Sequence, residues 1–209
     1  MKGTSAEGSG IRCIPYLVSI TISSIVVGGA ITYLGPYNPP MWAGVVIFTI
    51  GSGMLYTLDV DSSVGKWIGY EILAGVGAGA CVQIPFIAVQ VVLPEKDMPI
   101  GNAVAIFFNT LGGSISISIA QNIFSNTLIQ QLPRQAPSVD ASALIAAGAT
   151  HIRDVVTQQQ LSGVLVAYNT AVTTAFILPI AVGGLAAMSS LMMEWKSVKG
   201  VSLIPTGSA

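Results

Sequence analysis

WIGYEILAGVGAGACVQIPFIAVQVVLPEKDMPIGNAVAIFFNTLGGSISISIAQNIF, residues 67–124, decides the fold. Two long apolar runs, 67–92 and 101–124, flank a turn in which Glu95, Lys96 and Asp97 stand between Pro94 and Pro99. The first run holds a single formal charge, Glu71. It has about 26 residues, roughly 39 Å of helix, enough to cross a hydrocarbon layer of about 30 Å with some tilt. A soluble core helix of that length would carry a charged face. The stretch therefore reads as a transmembrane hairpin. SISISIA at 114–120 alternates like a strand, but a lone strand in lipid leaves its backbone unpaired, so it too is expected to be helical.

Composition agrees. The 209 residues are 52% apolar and 8% charged, with a mean hydropathy of +0.74. An ordinary soluble domain has about 25% charged residues. So little charge cannot cover a globule in water, and the lipid bilayer becomes the expected partner. The formal net charge of −1 includes no basic block, which removes the electrostatic footprint of nucleic-acid binding. Cys13 and Cys81 are the only cysteines, one at the edge of a run and one deep inside another. That placement argues against a disulfide and against a cysteine-based metal site.

Working outward, residues 1–10 are polar, and a retained span rather than a cleaved signal peptide is expected over 11–34. GPYNPP at 35–40 cannot continue a helix. A second span follows at 41–58, then a short polar loop. The central pair of spans is 67–92 and 101–124. Residues 125–162 form the expected long water-facing loop, with a short helix in SALIAAG stopped by Gly148 and a second one capped by Thr150. The last span is expected over 163–193 with a kink at Pro179, and a polar tail fills 194–209. The result is an all-α integral membrane protein of about five transmembrane helices. Lys and Arg distribute evenly between the two sides, so charge alone sets no orientation.

Several polar residues recur at helical spacing inside these runs. Gly79, Gln83, Phe86 and Gln90 share one face of the third span. Asn102, Asn109, Gly113 and Ser116 share one of the fourth, and the last offers Asn169, Thr173 and Phe176. Such stripes either cross-link helices or line a polar path, and both need an inward face. Gln83, Gln90, Asn109 and Asn169 are the candidates for the substrate path. Gly75, Gly79, Gly112 and Gly113 are the candidates for close helix packing, because a glycine lets backbones approach. Gly75, Gly77 and Gly79 are no nucleotide loop, since no strand precedes them. Glu71 is the one acid within a span, which makes it a candidate proton carrier or substrate partner. It also stands about one turn from the loop, within reach of water. His151 and Asp154 lack the further ligands of a metal site, so neither metal nor cofactor is expected. No paired acid or activated nucleophile points to an enzyme.

With the spans in place, SGIRCIPYL (9–17), GPYNPPMW (35–42), LAGVGAGACVQIPFIAVQVVLP (73–94), the GNA of 101–103, LGGSISISIAQNIF (111–124), AGATHIRDVV (147–156), the AYN of 167–169 and EWK (194–196) follow in order. In these stretches the chain resembles the C-terminal part of fungal major-facilitator transporters of the fourteen-span drug:proton antiporter type. The resemblance implies a partial major-facilitator fold whose five spans are the last five of fourteen. The N-terminus and the 125–162 loop would lie outside the cell. It implies efflux of a small, largely apolar compound, such as a toxin or secondary metabolite, driven by protons across the plasma membrane. The antiporter motif and the charged loop motif of that family are absent. Alternating access needs two halves around a central site, and five spans supply part of one. The chain is expected not to transport without a missing N-terminal half, as a fragment, a truncated gene product or a piece with a misassigned start. The alternative is a non-transporting multispan protein, either a remnant or a helical partner of a full-length transporter.

Overall fold

The computed structural model describes residues 6–137, 139–148, 152 and 156–198. Thr150, His151 and Asp154, and with them the second loop helix, lie outside the described residues. The rest is all-α, with an isolated antiparallel bridge between Pro36 and Ser197. A short α1 (Ala6–Arg12) leads into α2 (Ile14–Leu34), which has Pro15 in its first turn, where a missing N–H is harmless. Gly35 ends α2 at φ 103°, a conformation that excludes most side chains. Then come α3 (Asn38–Tyr56), α4 (Val64–Val82) and α5 (Ile84–Val92). A single 3-10 turn, Glu95–Asp97, opens α6 (Met98–Gln135). They are followed by α7 (Ala141–Ala147), α8 (Gln158–Ala175) and α9 (Ile177–Ser190).

Among the described residues, four helical stretches are long and apolar enough to cross a membrane: Glu7–Leu34, Val64–Val92, Glu95–Gln135 and Gln158–Ser190. Helix α3, at 19 residues, is roughly 28 Å long. Its first turn carries two prolines, and it lies between α4 and α9.

Helix α4 is the spine of the bundle, with α2 against one side and α3 against the other. Its glycines divide by face. A Cβ added at Gly75 would stand 2.7 Å from the Tyr16 carbonyl oxygen, and one at Gly79 would meet the Ile20 carbonyl, both on α2. A Cβ at Gly77 would instead strike Phe48 on α3. Across from them, Gly44 faces Ala80 and Gly51 faces Ala74. The seam to α2 is also hydrogen-bonded: Ser23 Oγ donates to the Val76 carbonyl at 2.7 Å and Ser24 Oγ to that of Gly79 at 2.9 Å.

Two spans are broken where a proline removes a hydrogen bond. The run at 67–92 breaks at Gln83, two residues before Pro85. The last one breaks at Phe176, three before Pro179. The SISISIA stretch is helical, and Ser114 and Ser118 bond back to the carbonyls four residues earlier. Helix α6 departs from the expected boundary, staying helical from Ser125 to Gln135. The reason is a stripe at fourfold spacing. Phe124, Leu128 and Leu132 pack with Val164, Ala167 and Ala171 of α8, and Phe124 meets Tyr168 edge to face at 5.1 Å. Leu144 of α7 joins the same core. Helix α7 is capped by the Asp140 carboxylate and stopped by Gly148.

Candidate functional site

The tight α3–α4 seam opens into a cavity of about 330 Å³ towards the end of the bundle where α2 begins and α3 ends. Tyr16 comes from α2, with Cys13 just ahead of it. Helix α3 gives Phe48, Ser52 and Leu55, while α4 gives Glu71 and Ala74. The break between α8 and α9 closes it with Phe176 and Pro179. Each helix is held there for a local reason. Gly51 accepts Ala74 and fixes α4 against α3, Gly75 fixes α4 against Tyr16, and Gly183 lets α9 rest on Thr49. The walls are apolar or aromatic apart from Ser52, Tyr16, Cys13 and Glu71.

Glu71 supplies the chemistry. One of its carboxyl oxygens, Oε2, is buried with no hydrogen-bond partner among the described residues. An unpaired buried carboxyl oxygen is costly unless it holds a proton or meets a donor. The cavity gives it room for either. Near the same end, the Arg12 guanidinium lies 5.9 Å over the Trp67 ring and the Lys66 ammonium 5.9 Å over that of Tyr70. Both cations are held by aromatic faces rather than by Glu71. Cys13 and Cys81 are free thiols. No group of three His, Cys, Asp or Glu side chains among the described residues is arranged to hold a metal ion.

The four candidate path residues are not gathered in this cavity. Gln83 sits exposed at the α4–α5 break, Gln90 is half-buried on α5, and Asn109 is exposed on α6. Asn169 on α8 is engaged, its Nδ2 donating to the Leu58 carbonyl at 2.9 Å. Thr173 bonds back to Asn169 within the helix. Asn102 Oδ1 is buried without a partner among the described residues. Gly75 and Gly79 lie in the α2–α4 seam, whereas a Cβ at Gly112 or Gly113 meets nothing within 4 Å. Phe48, Leu55 and Phe176 join Glu71 only in three dimensions. Apolar residues inside apolar runs carry no mark that would single them out.

These helices define the class: the chain is a helical integral membrane protein. Its relatives narrow that further. It is 43% identical over 199 residues to the efflux pump roqT of Penicillium rubens, which covers 95% of this chain and 37% of the relative. It is 44% identical over 203 residues to the MFS-type transporter astH of Aspergillus oryzae, covering 97% of this chain and 36% of the relative. With the MFS-type efflux pump MFS1 of Trichophyton rubrum it shares 39% identity over 208 residues, 100% of this chain and 39% of that one. The chain thus spans less than two fifths of the length of these relatives. No protein-family model matches it.

Proposed function

We propose that the chain is the C-terminal part of a fungal major-facilitator efflux transporter of the fourteen-span drug:proton antiporter type. It works in the plasma membrane together with an N-terminal half. The observation that carries this reading is similarity along nearly the whole chain to proteins named as efflux pumps and transporters. The spine of glycines and the scarcity of charge are what a span bundle requires. The cargo is a small, largely apolar compound, and the role is transport rather than catalysis.

Within that reading, Glu71 is the proton-linked group. Its carboxyl has no competing partner among the described residues, and the cavity beside it leaves space for a proton donor. An acid within a span is costly to keep without a use. Gln83, Gln90 and Asn109 serve the substrate path from outside the cavity, on surfaces that the N-terminal half would cover. Asn169, tied to Leu58, holds α8 to the end of α3 and reaches the path only if that bond opens. Gly112 and Gly113, open on α6, take up helix packing against the same missing half.

The test joins this chain to the preceding part of the astH relative and expresses the chimera in pump-deficient yeast. Accumulation of an apolar fluorescent dye should fall, and Glu71→Gln should remove the dependence of efflux on external pH. A chimera that reaches the membrane and leaves accumulation unchanged refutes the reading.

A further inference from the structure

Two stretches far apart in sequence, GPYNPPMW at 35–42 and EWK at 194–196, meet at one end of the bundle. After α9 the chain folds back as a strap over 191–198. The Tyr37 hydroxyl donates to the Glu194 carbonyl at 2.7 Å, and Asn38 Nδ2 reaches the same oxygen at 3.3 Å. Trp42 Nε1 donates to the Ser190 carbonyl at 3.3 Å, and the Trp42 and Trp195 rings meet edge to face at 5.1 Å. The Val198 N–H donates to the Gly35 carbonyl at 2.9 Å, beside the bridge between Pro36 and Ser197.

The strap does more than close its own end. Val198 is buried in one cluster with Tyr37, Met41, and Ile84 and Ala88 of α5. Helix α5 is the part of its span beyond the Gln83 break, where Pro85 has removed a backbone bond. Its partner α4 is locked on two faces by glycines set against backbone atoms, whereas the glycine nearest α5, Gly101 of α6, meets only the side chains of Val89 and Leu93. The closed arrangement is also imperfect, because Asn38 Oδ1 is fully buried and has no hydrogen-bond partner among the described residues. That unpaired atom costs the closed state free energy.

We propose that residues 190–198 are a latch for α5. Seated on residues 35–42, the strap fixes the angle at Gln83. Unseated, it lets α5 swing while α4 stays in place. The device stands on this geometry and does not depend on what the protein transports.

The test uses the full chain in nanodiscs with Cys13→Ser and Cys81→Ala as background, and reads hydrogen exchange of the amides of 87–93 against those of 75–80. Tyr37→Phe combined with Trp195→Ala should speed exchange in α5 at least tenfold and leave α4 unchanged. Because that pair also removes the ring packing between Trp42 and Trp195, a second protein carries Pro36→Cys and Ser197→Cys. Directly bridged residues have Cα atoms about 5 Å apart, within disulfide range. Oxidation should form the bond and slow α5 exchange below that of the reduced protein. The latch requires both effects. It is overturned if the cysteines do not cross-link, if either protein leaves α5 exchange unchanged, or if α4 and α5 loosen together.

Discussion

Replacing Gly77 by alanine puts the glycine spine to a direct test. The new Cβ would stand 2.5 Å from Phe48 Cα and 2.8 Å from the Gly44 carbonyl oxygen. Both are backbone atoms, so no side chain can turn aside. Ordinary contact begins near 3.4 Å, so α3 must retreat by nearly an ångström, yet its far side already carries Gly183 of α9 against Thr49. Overpacking costs about 1–3 kcal/mol, and a rigid neighbour on both sides places this case at the upper end. Alanine returns up to about 1 kcal/mol of helix propensity. At Gly29 on α2, where a Cβ meets nothing within 4 Å, only that gain applies. The two substitutions should therefore separate by about 3 kcal/mol, about a hundredfold in the unfolding equilibrium. Tryptophan fluorescence during titration from dodecylmaltoside into dodecyl sulfate measures the difference. If Gly77→Ala unfolds together with Gly29→Ala, the close α3–α4 approach is wrong.

Removing the seam hydroxyls with Ser23→Ala and Ser24→Ala should destabilise by about 0.6 kcal/mol each in the same titration, the usual scale for hydrogen bonds between helices in lipid. Asn169→Ala should free the loop after α3, seen as faster hydrogen exchange around Leu58, with the α2–α4 seam unaffected. Burial, with the Glu194 carboxylate adding and Lys196 subtracting, raises the Tyr37 phenol above its ordinary value of 10.0. A raised folded-state value means that its contribution is complete below pH 10 and is lost as pH climbs through the raised value. Trp195 fluorescence should therefore report strap release only on the alkaline side of pH 10, and Tyr37→Phe should abolish that step. Glu71→Met removes an unpartnered buried oxygen at similar volume and should leave stability unchanged or raised, a result read from the same unfolding curves.

The bilayer assignment was legible because scarce charge and long apolar runs leave no other solvent for residues 67–124. Glu71 stood out as the lone acid in its span, and Gly148 and the back-bonding serines followed local rules. Other features depend on tertiary packing. The continuation of α6 past Ser125 is fixed by Leu128 and Leu132 meeting α8, a contact between distant segments. The break at Gln83 had a visible cause in Pro85, two residues on, but a proline inside a span does not say whether the helix bends or parts. Gly77 looks like its neighbours in sequence, and only the positions of α2 and α3 show that it faces the opposite way. Asn169 lies on a polar stripe, yet a carbonyl at the end of another helix takes up its amide. The motifs at 35–42 and 194–196 were each visible, but not that one closes over the other.

Helix α6 has 38 residues, roughly 57 Å, far more than a hydrocarbon layer needs. Its last turns, from Phe124 onward, share a packed core with α7 and the start of α8, where Gly163 sits directly against the Gln135 carbonyl. That core forms a stiff knob continuous with a spanning helix. A nanobody raised against it would move with the bundle instead of wobbling on a tether, giving image alignment a landmark that a small helical protein in a micelle otherwise lacks.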